Sequence, residues 1–294
     1  MLETVTQWFT QKQDRPVHLV PISDLHSGGS TALFPHLNEL PLGGWQFQHN
    51  LVTPSAKQCD MALHWDYCAD ATATARNGKR MIIVLNGDMV DGIHHHSLQL
   101  MTHRPEEQAE VNIWLLKRFV TRAGFDKQKG DLLYMVSGTE THTGDVEYKI
   151  GEELGAEPHD HLGAYDFLPL EINGKLFWFL HQGSGPGRGP NKGDQVRLWL
   201  KNKYWQLLEE GQRIPDYIIS GHYHDPIYNT YVRPNHTMHG MILASFQLKT
   251  RFGYRIAAVE REKIGIRTID IGISGEITTN APLFMTMPDD TVRT

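Results

Sequence analysis

Cysteine is almost absent from this chain. Its 294 residues contain two, Cys59 and Cys68, nine positions apart in a stretch of helical composition. A disulfide framework is not indicated, and two ordinary thiols in a reducing compartment are expected. Long apolar runs are missing as well. Each is strand-sized, far short of the ~20 residues that cross a bilayer, so no membrane span is expected. The first residues, MLETVTQWFTQKQDR, carry charges and no apolar stretch of the secretion-signal kind, which points to a cytoplasmic protein. Positive charge is not in surplus. The formal net charge of −6 argues against a general polyanion binder. That count includes carboxylates that bound cations would neutralise, so a nucleic-acid substrate at a locally positive site stays open. Repeats, low-complexity tracts and linkers are also missing. What is present is 40% hydrophobic content, enough for one sizeable core.

The pattern predicts alternating strands and helices, then consecutive strands. Residues 16–22 read as a strand and 30–53 as a Pro/Gly/Asn-rich insertion with Trp45 and Phe47. A helical stretch from Ser55 to Asn77 precedes a strand at 80–86. A helix should begin at Pro105, a good first-turn residue, and reach Arg122. Strand 131–137 and a short helix at 145–154 come next. Strands 165–172 and 175–181 are joined by Asn173-Gly174, a strong hairpin signal. A helix over 192–210 repeats Val196, Leu200, Tyr204 and Leu207 on one face. Strand 216–220 follows, and 227–232, 238–246, 252–259 and 264–271 read as an antiparallel run. The pattern implies two sheets face to face with helices outside, in one domain over 1–280, with residues 281–294 as a tail.

Five polar clusters each follow directly on an apolar run. PVHLVPIS leads into Asp24-Leu25-His26, MIIVLN into Gly87-Asp88, LLYMVS into Gly138-Thr139-Glu140-Thr141-His142, LFWFL into His181, and DYIIS into Gly221-His222-Tyr223-His224. Buried strands ending this way deliver side chains to the rim of a sheet, where the ligand loops of α/β proteins gather. Asp24 and His26, at i and i+2 on extended backbone, point to one side and can grip one cation, and His222 and His224 repeat the spacing. Asp88 offers two oxygens able to bridge a pair of cations. Each cluster alone is more often structural. Five in order, after five strands, supply the donors of a two-metal site.

These motifs resemble the signature of the calcineurin-like metallophosphoesterase superfamily over residues 18 to 224, the Gly-His-x-His element most specifically. The resemblance implies an α/β fold, a four-layer α/β/β/α sandwich of two mixed sheets. It also implies two divalent metal ions, manganese first among Mn, Fe, Zn, Co and Ni. By position, Asp24, His26, Asp88 and His224 would bind the first ion, and Asp88, His181 and His222 the second, with Asp88 bridging. A hydroxide held between the ions would attack phosphorus. The third motif departs from the family's Gly-Asn-His. Thr139 or Glu140 stands where Asn binds metal, and His142 is the nearest histidine, either the proton donor or a surface loop residue.

The substrate is expected to be a phosphate ester. Gly87-Asp88-Met89-Val90-Asp91-Gly92 lacks the arginine found in the related phosphoprotein phosphatases, which favours a phosphodiesterase or nuclease acting on nucleotides or nucleic acid. A phosphomonoesterase is the alternative, and so is a scaffold that keeps the fold without turnover. Asp91 can orient a metal ligand or cap its loop. His94 and His95, in the run His94-His95-His96, read as rim contacts to substrate or as a solvated loop. Glycine-rich 183–190 would let a phosphate approach the backbone, with Arg188 as its clamp, or is a flexible turn. Lys192, Arg197, Lys201 and Lys203 beside Trp199 and Trp205 fit a nucleic-acid track or a solvated helix face. The insertion and the C-terminal strands are the segments from which a specificity cap or subunit interface would be built.

Overall fold

The computed structural model describes residues 9–10, 15–93, 99–140, 144–160, 162–251, 253 and 261–287. A short β1 (Phe9–Thr10) precedes β2 (Val17–Ile22), whose VHLVPI is buried at every position. A strand buried throughout, without alternation, is covered on both faces. A small hairpin, β3 (Trp45–Gln46) and β4 (Leu51–Val52), leads to α1 (Ala56–Arg76). Ser55 and Gln58 close a capping box at the start of α1, and Asn77 ends it in the left-handed conformation. Strand β5 (Arg80–Asn86), α2 (Pro105–Arg122), β6 (Leu132–Val136) and α3 (Val146–Leu154) follow. The hairpin of β7 (Leu168–Ile172) and β8 (Lys175–Phe179) turns at Asn173, φ 49°, and Gly174. Next come α4 (Asp194–Glu209) and β9 (Tyr217–Ser220), then β10 (Ile227–Arg233) and β11 (His236–Ile242). The described chain ends with β12 (Lys263–Ile266), β13 (Ile269–Ile271), β14 (Ile277–Thr279) and β15 (Leu283–Thr286).

Two sheets carry the fold. One has the order β14-β13-β2-β5-β6, with β2, β5 and β6 parallel and β13 antiparallel to β2. The other has the order β1-β7-β8-β9-β11-β10, with β1 parallel to β7, with β8, β9 and β11 parallel, and with β7 antiparallel to β8 and β10 to β11. Alternating side chains sort into three cores. Val20, Ile22, Ile83, Leu85 and Met135 pack with Trp65 of α1 and with Leu115 and Phe119 of α2. The intervening Leu19, Ile82, Val84 and Tyr134 meet Leu170, Phe177, Phe179 and Ile219 of the second sheet. On that sheet's far face, Ile218, Met238 and Ile242 lie under Val196 and Leu200 of α4. Helix, sheet, sheet and helix are therefore stacked as four mixed layers. Among the described residues no helix is long and apolar enough to cross a membrane.

Some expected boundaries move. Residues 283–286, expected in a tail, form β15 antiparallel to β12, because Leu283 and Met285 find apolar cover on the first core while the ladder satisfies their backbone. The single strand expected over 264–271 is two, since β12 pairs with β15 and β13 with β2. The antiparallel run is confined to the hairpin of β10 and β11, as β11 runs parallel to β9. Beyond Ile242 the chain leaves the ladder, and Phe246 N–H reaches the carbonyl of Asp24 at 3.0 Å. The expected strand 252–259 lies outside the described residues apart from Gly253. The insertion over 30–53 sends Leu33, Phe34 and Phe47 into the first core and sets Trp45 edge-on to Trp114 at 6.2 Å.

Among the described residues Trp65 is the largest fully buried side chain, 4.5 Å from Phe119 and 4.7 Å from Phe246 between ring centroids, and its indole N–H donates to the Leu115 carbonyl at 3.1 Å. Trp65→Ala is expected to cost about 3–5 kcal/mol of unfolding free energy. Urea denaturation checks this, and an unchanged midpoint would contradict the packing described.

Candidate metal centre

Five strand ends converge where the two sheets meet. Asp24 N–H donates to the Gly87 carbonyl and His26 N–H to that of Asp88, both at 3.0 Å, joining the loops after β2 and β5. Gly221 N–H donates to the His181 carbonyl at 2.9 Å, joining those after β8 and β9. The sheets are tied to each other here by His222 N–H, 3.0 Å from both carboxylate oxygens of Asp24. The approach is close enough to need glycine. A Cβ on Gly138 would lie 2.3 Å from Asp88 Oδ1, and one on Gly221 2.5 Å from Asp24 Oδ2.

The backbone is strained in the same place. Asp24 (φ 56°), His26 (47°), Asp88 (52°), His222 (70°) and His224 (55°) all adopt the left-handed region. The other such non-glycine residues among those described are Asn77, Asp160 and Asn173, scattered over turns elsewhere in the chain. Each such residue costs about 1–3 kcal/mol and persists only where its surroundings impose it. Strain gathered on five polar side chains aimed at one point is a mark of a functional site.

The side chains form two groups whose donor atoms lie within 4.8 Å of one another: Asp24, His26 and His224, and Asp88, His181 and His222. In the first, Asp24 Oδ1 is 3.2 Å from His224 Nε2 and 3.8 Å from His26 Nε2, and the two imidazole nitrogens face each other at 3.0 Å. In the second, His181 Nε2 is 2.9 Å from Asp88 Oδ2. That oxygen is also 3.9 Å from His26 Nε2, so Asp88 stands between the groups.

The donor set fits cations. The Asn86 carbonyl, 2.8 Å from His181 Nδ1, can only accept, so Nδ1 carries a proton, and Nε2 is the nitrogen whose lone pair faces inward once its own proton is lost. That nitrogen is buried, with Asp88 Oδ2 2.9 Å away as its charged neighbour. His26 Nδ1 is likewise held by Asp91 Oδ1 at 3.1 Å, an oxygen that also accepts from Gln247 Nε2 at 3.1 Å. Partners that fix the outer nitrogen and free the inner one are the usual surroundings of metal-binding imidazoles.

The electrostatics agree. Burial alone would raise Asp24 and Asp88, but the neighbouring histidines hold Asp24 well below the carboxylate range and Asp88 at about 2. Burial would lower His26 and His181, yet the carboxylates push them up to about 10 and about 9. His222, half-buried, is lowered, chiefly by burial and then by the charge of His181. Two buried carboxylates thus demand positive charge, which imidazole protons or cations can provide.

Thr139 meets the second group. Its N–H donates to Asp88 Oδ1 at 2.7 Å, and its hydroxyl lies 3.4 Å from both Asp88 Oδ2 and His222 Nδ1. Glu140 is exposed and in neither group. His142, His94 and His95 lie outside the described residues. Arg188 is exposed, just before a 3-10 turn at Gly189–Asn191, and Lys192 pairs with Asp225, next to His224, at 2.6 Å. Sequence reasoning missed Asn86, Gln247 and Glu147. Of these only Asn86, immediately before Gly87-Asp88, had a positional signal.

No family model and no curated protein matches the chain. Among solved structures, it is similar to a conserved uncharacterized protein from Streptococcus pneumoniae described as a predicted phosphoesterase, at 12% identity and TM-score 0.32, covering 92% of this chain and 98% of that one. It is similar to the NAD nucleotidase of Haemophilus influenzae at 11% identity and TM-score 0.42, covering 91% of this chain and 49% of that one. The 5'-nucleotidase of Candida albicans is similar at 11% identity and TM-score 0.32, covering 88% and 48%. The chain spans about half the length of these two nucleotidases. Its four layers, and the four strand ends that bring Asp24, His26, Asp88, His181, His222 and His224 together, are the arrangement expected from the sequence motifs.

Proposed function

We propose that the protein is a phosphoric ester hydrolase dependent on two divalent metal ions, with phosphodiesters of nucleotides or nucleic acid as its preferred substrates. The observation that carries this reading is the pair of three-donor groups with Asp88 Oδ2 between them. Asp24, His26, Asp88 and His224 would hold the first ion and Asp88, His181 and His222 the second, with manganese as the working metal. When bound, the ions supply Lewis acidity, acidifying water and drawing charge from the phosphoryl oxygens. The chain's own residues do the rest. Asp91 and the Asn86 carbonyl hold the outer nitrogens of His26 and His181, leaving the inner nitrogens to face the ions. Thr139, whose hydroxyl lies against the second group, takes the place that an asparagine fills in relatives. His142 protonates the leaving alkoxide, and Arg188, His94 and His95 contact the substrate. The cytoplasm is the compartment proposed.

Preference for the diester rests on the loop after β5. Asp91, buried, is committed to His26 and Gln247, and Gly92 stands where phosphoprotein phosphatases place an arginine. That loop therefore lacks the cationic clamp that suits a doubly charged monoester.

Asp88→Asn removes the charge between the groups. Metal content by mass spectrometry is expected to fall from two ions per chain, and turnover by about 100-fold or more; near-normal activity would contradict the assignment. On chelator-stripped protein reloaded with manganese, bis-p-nitrophenyl phosphate is expected to be hydrolysed faster than p-nitrophenyl phosphate. The reverse preference would make the protein a monoesterase, and a metal-free fold silent on both would make it a scaffold.

A further inference from the structure

Glu147 lies on α3, beyond the third strand-end cluster, and its side chain is fully buried beside Asp88. One carboxylate oxygen, Oε1, accepts the N–H of Met89 at 2.8 Å, and the other, Oε2, accepts that of Gly138. Met89 follows Asp88 in the chain. Gly138 precedes Thr139, whose own N–H donates to Asp88 Oδ1. One acid therefore holds both the backbone that bears the Asp88 carboxylate and the amide that orients it. With Oδ1 committed to Thr139, the other oxygen is left facing His181 and His26.

The arrangement is costly. Burial, with the nearby charge of Asp88, pushes the Glu147 carboxyl up to about 7, against the two amides that lower it. A neutral side chain would fill the same space on the helix without that cost. What it would not do is accept two N–H groups from two different loops, which are otherwise buried donors in want of a partner.

We infer that Glu147 is a positioning residue that clamps the loops after β5 and β6 and aims Asp88 Oδ2 at the space between the two donor groups. The inference rests on the metal reading of the site, and predicts that metal affinity depends on a residue that touches no metal. Outer partners of metal ligands typically change affinity by about 10–100-fold.

The test is titration of the chelator-stripped full chain with manganese, in wild type and three variants. Glu147→Gln keeps the shape but turns an amino group toward one of the amides, and should weaken manganese binding by about 10–100-fold with an unchanged far-ultraviolet circular dichroism spectrum. Glu147→Asp keeps the charge with a shorter reach and should lose less, which gives a second reading should the Gln variant fail to fold. Ile150→Ala loosens the same helix through the first core without touching either loop, and should bind as wild type does. Wild-type binding of two ions, with the Glu147 variants equally tight or Ile150→Ala equally weakened, would overturn the clamp alone. A wild-type chain that binds no manganese would overturn the metal reading and the clamp together.

Discussion

Two carboxylates that water cannot reach organise this molecule. Asp24 and Asp88 are 0% and 1% exposed where the edges of two sheets meet, and burying an unpaired carboxylate is prohibitive. Their charge must be answered from within. Three things answer it: imidazoles at 2.9 to 3.9 Å, backbone N–H groups from Thr139 and His222, and cations when they bind. The loops take left-handed turns because each donor must point inward while its backbone bonds to the neighbouring loop. The glycines at 138 and 221 let those loops touch. Stability is locally sacrificed so that six side chains share one small volume, and the three apolar cores on either side of the sheets carry the cost.

This explains why the parallel strands matter. β2, β5 and β6 in one sheet and β8 and β9 in the other all release the chain at the same rim. A site drawn from five such ends, four of them carrying the six donors, is held by two rigid sheets rather than by one flexible loop. Asp24 ties the sheets together directly, through the amide of His222.

The donors themselves were legible in the sequence because strand-end position and residue type coincide: an apolar run that stops at Asp-x-His or Gly-His-x-His announces both where the side chain sits and what it can bind. The helices were legible for a similar reason, with Pro105 and the Ser55–Gln58 box marking their starts. The choice between Thr139 and Glu140 was not, since neighbouring residues at a strand end diverge according to a turn that residue types do not specify. Nor was Glu147, whose partners are backbone amides, of Gly138 in the loop before its helix and of Met89 far away in the chain, and an amide partner leaves no trace in residue type. The strand at 283–286 was hidden because its partner and its apolar cover are supplied from elsewhere in the fold, while its flanking prolines read as a tail. Asp91 stood in between. Its spacing from Asp88 suggested support for a ligand, and its contact with His26 identified which one.

Occupancy of the rim is the claim on which the rest depends, and crystals grown with manganese test it most directly. Anomalous diffraction at the manganese edge should give two peaks, one among Asp24, His26 and His224 and one among Asp88, His181 and His222, with Asp88 touching both. An ordered site with no anomalous density, or a single peak that leaves His181 and His222 unbound, would contradict the account.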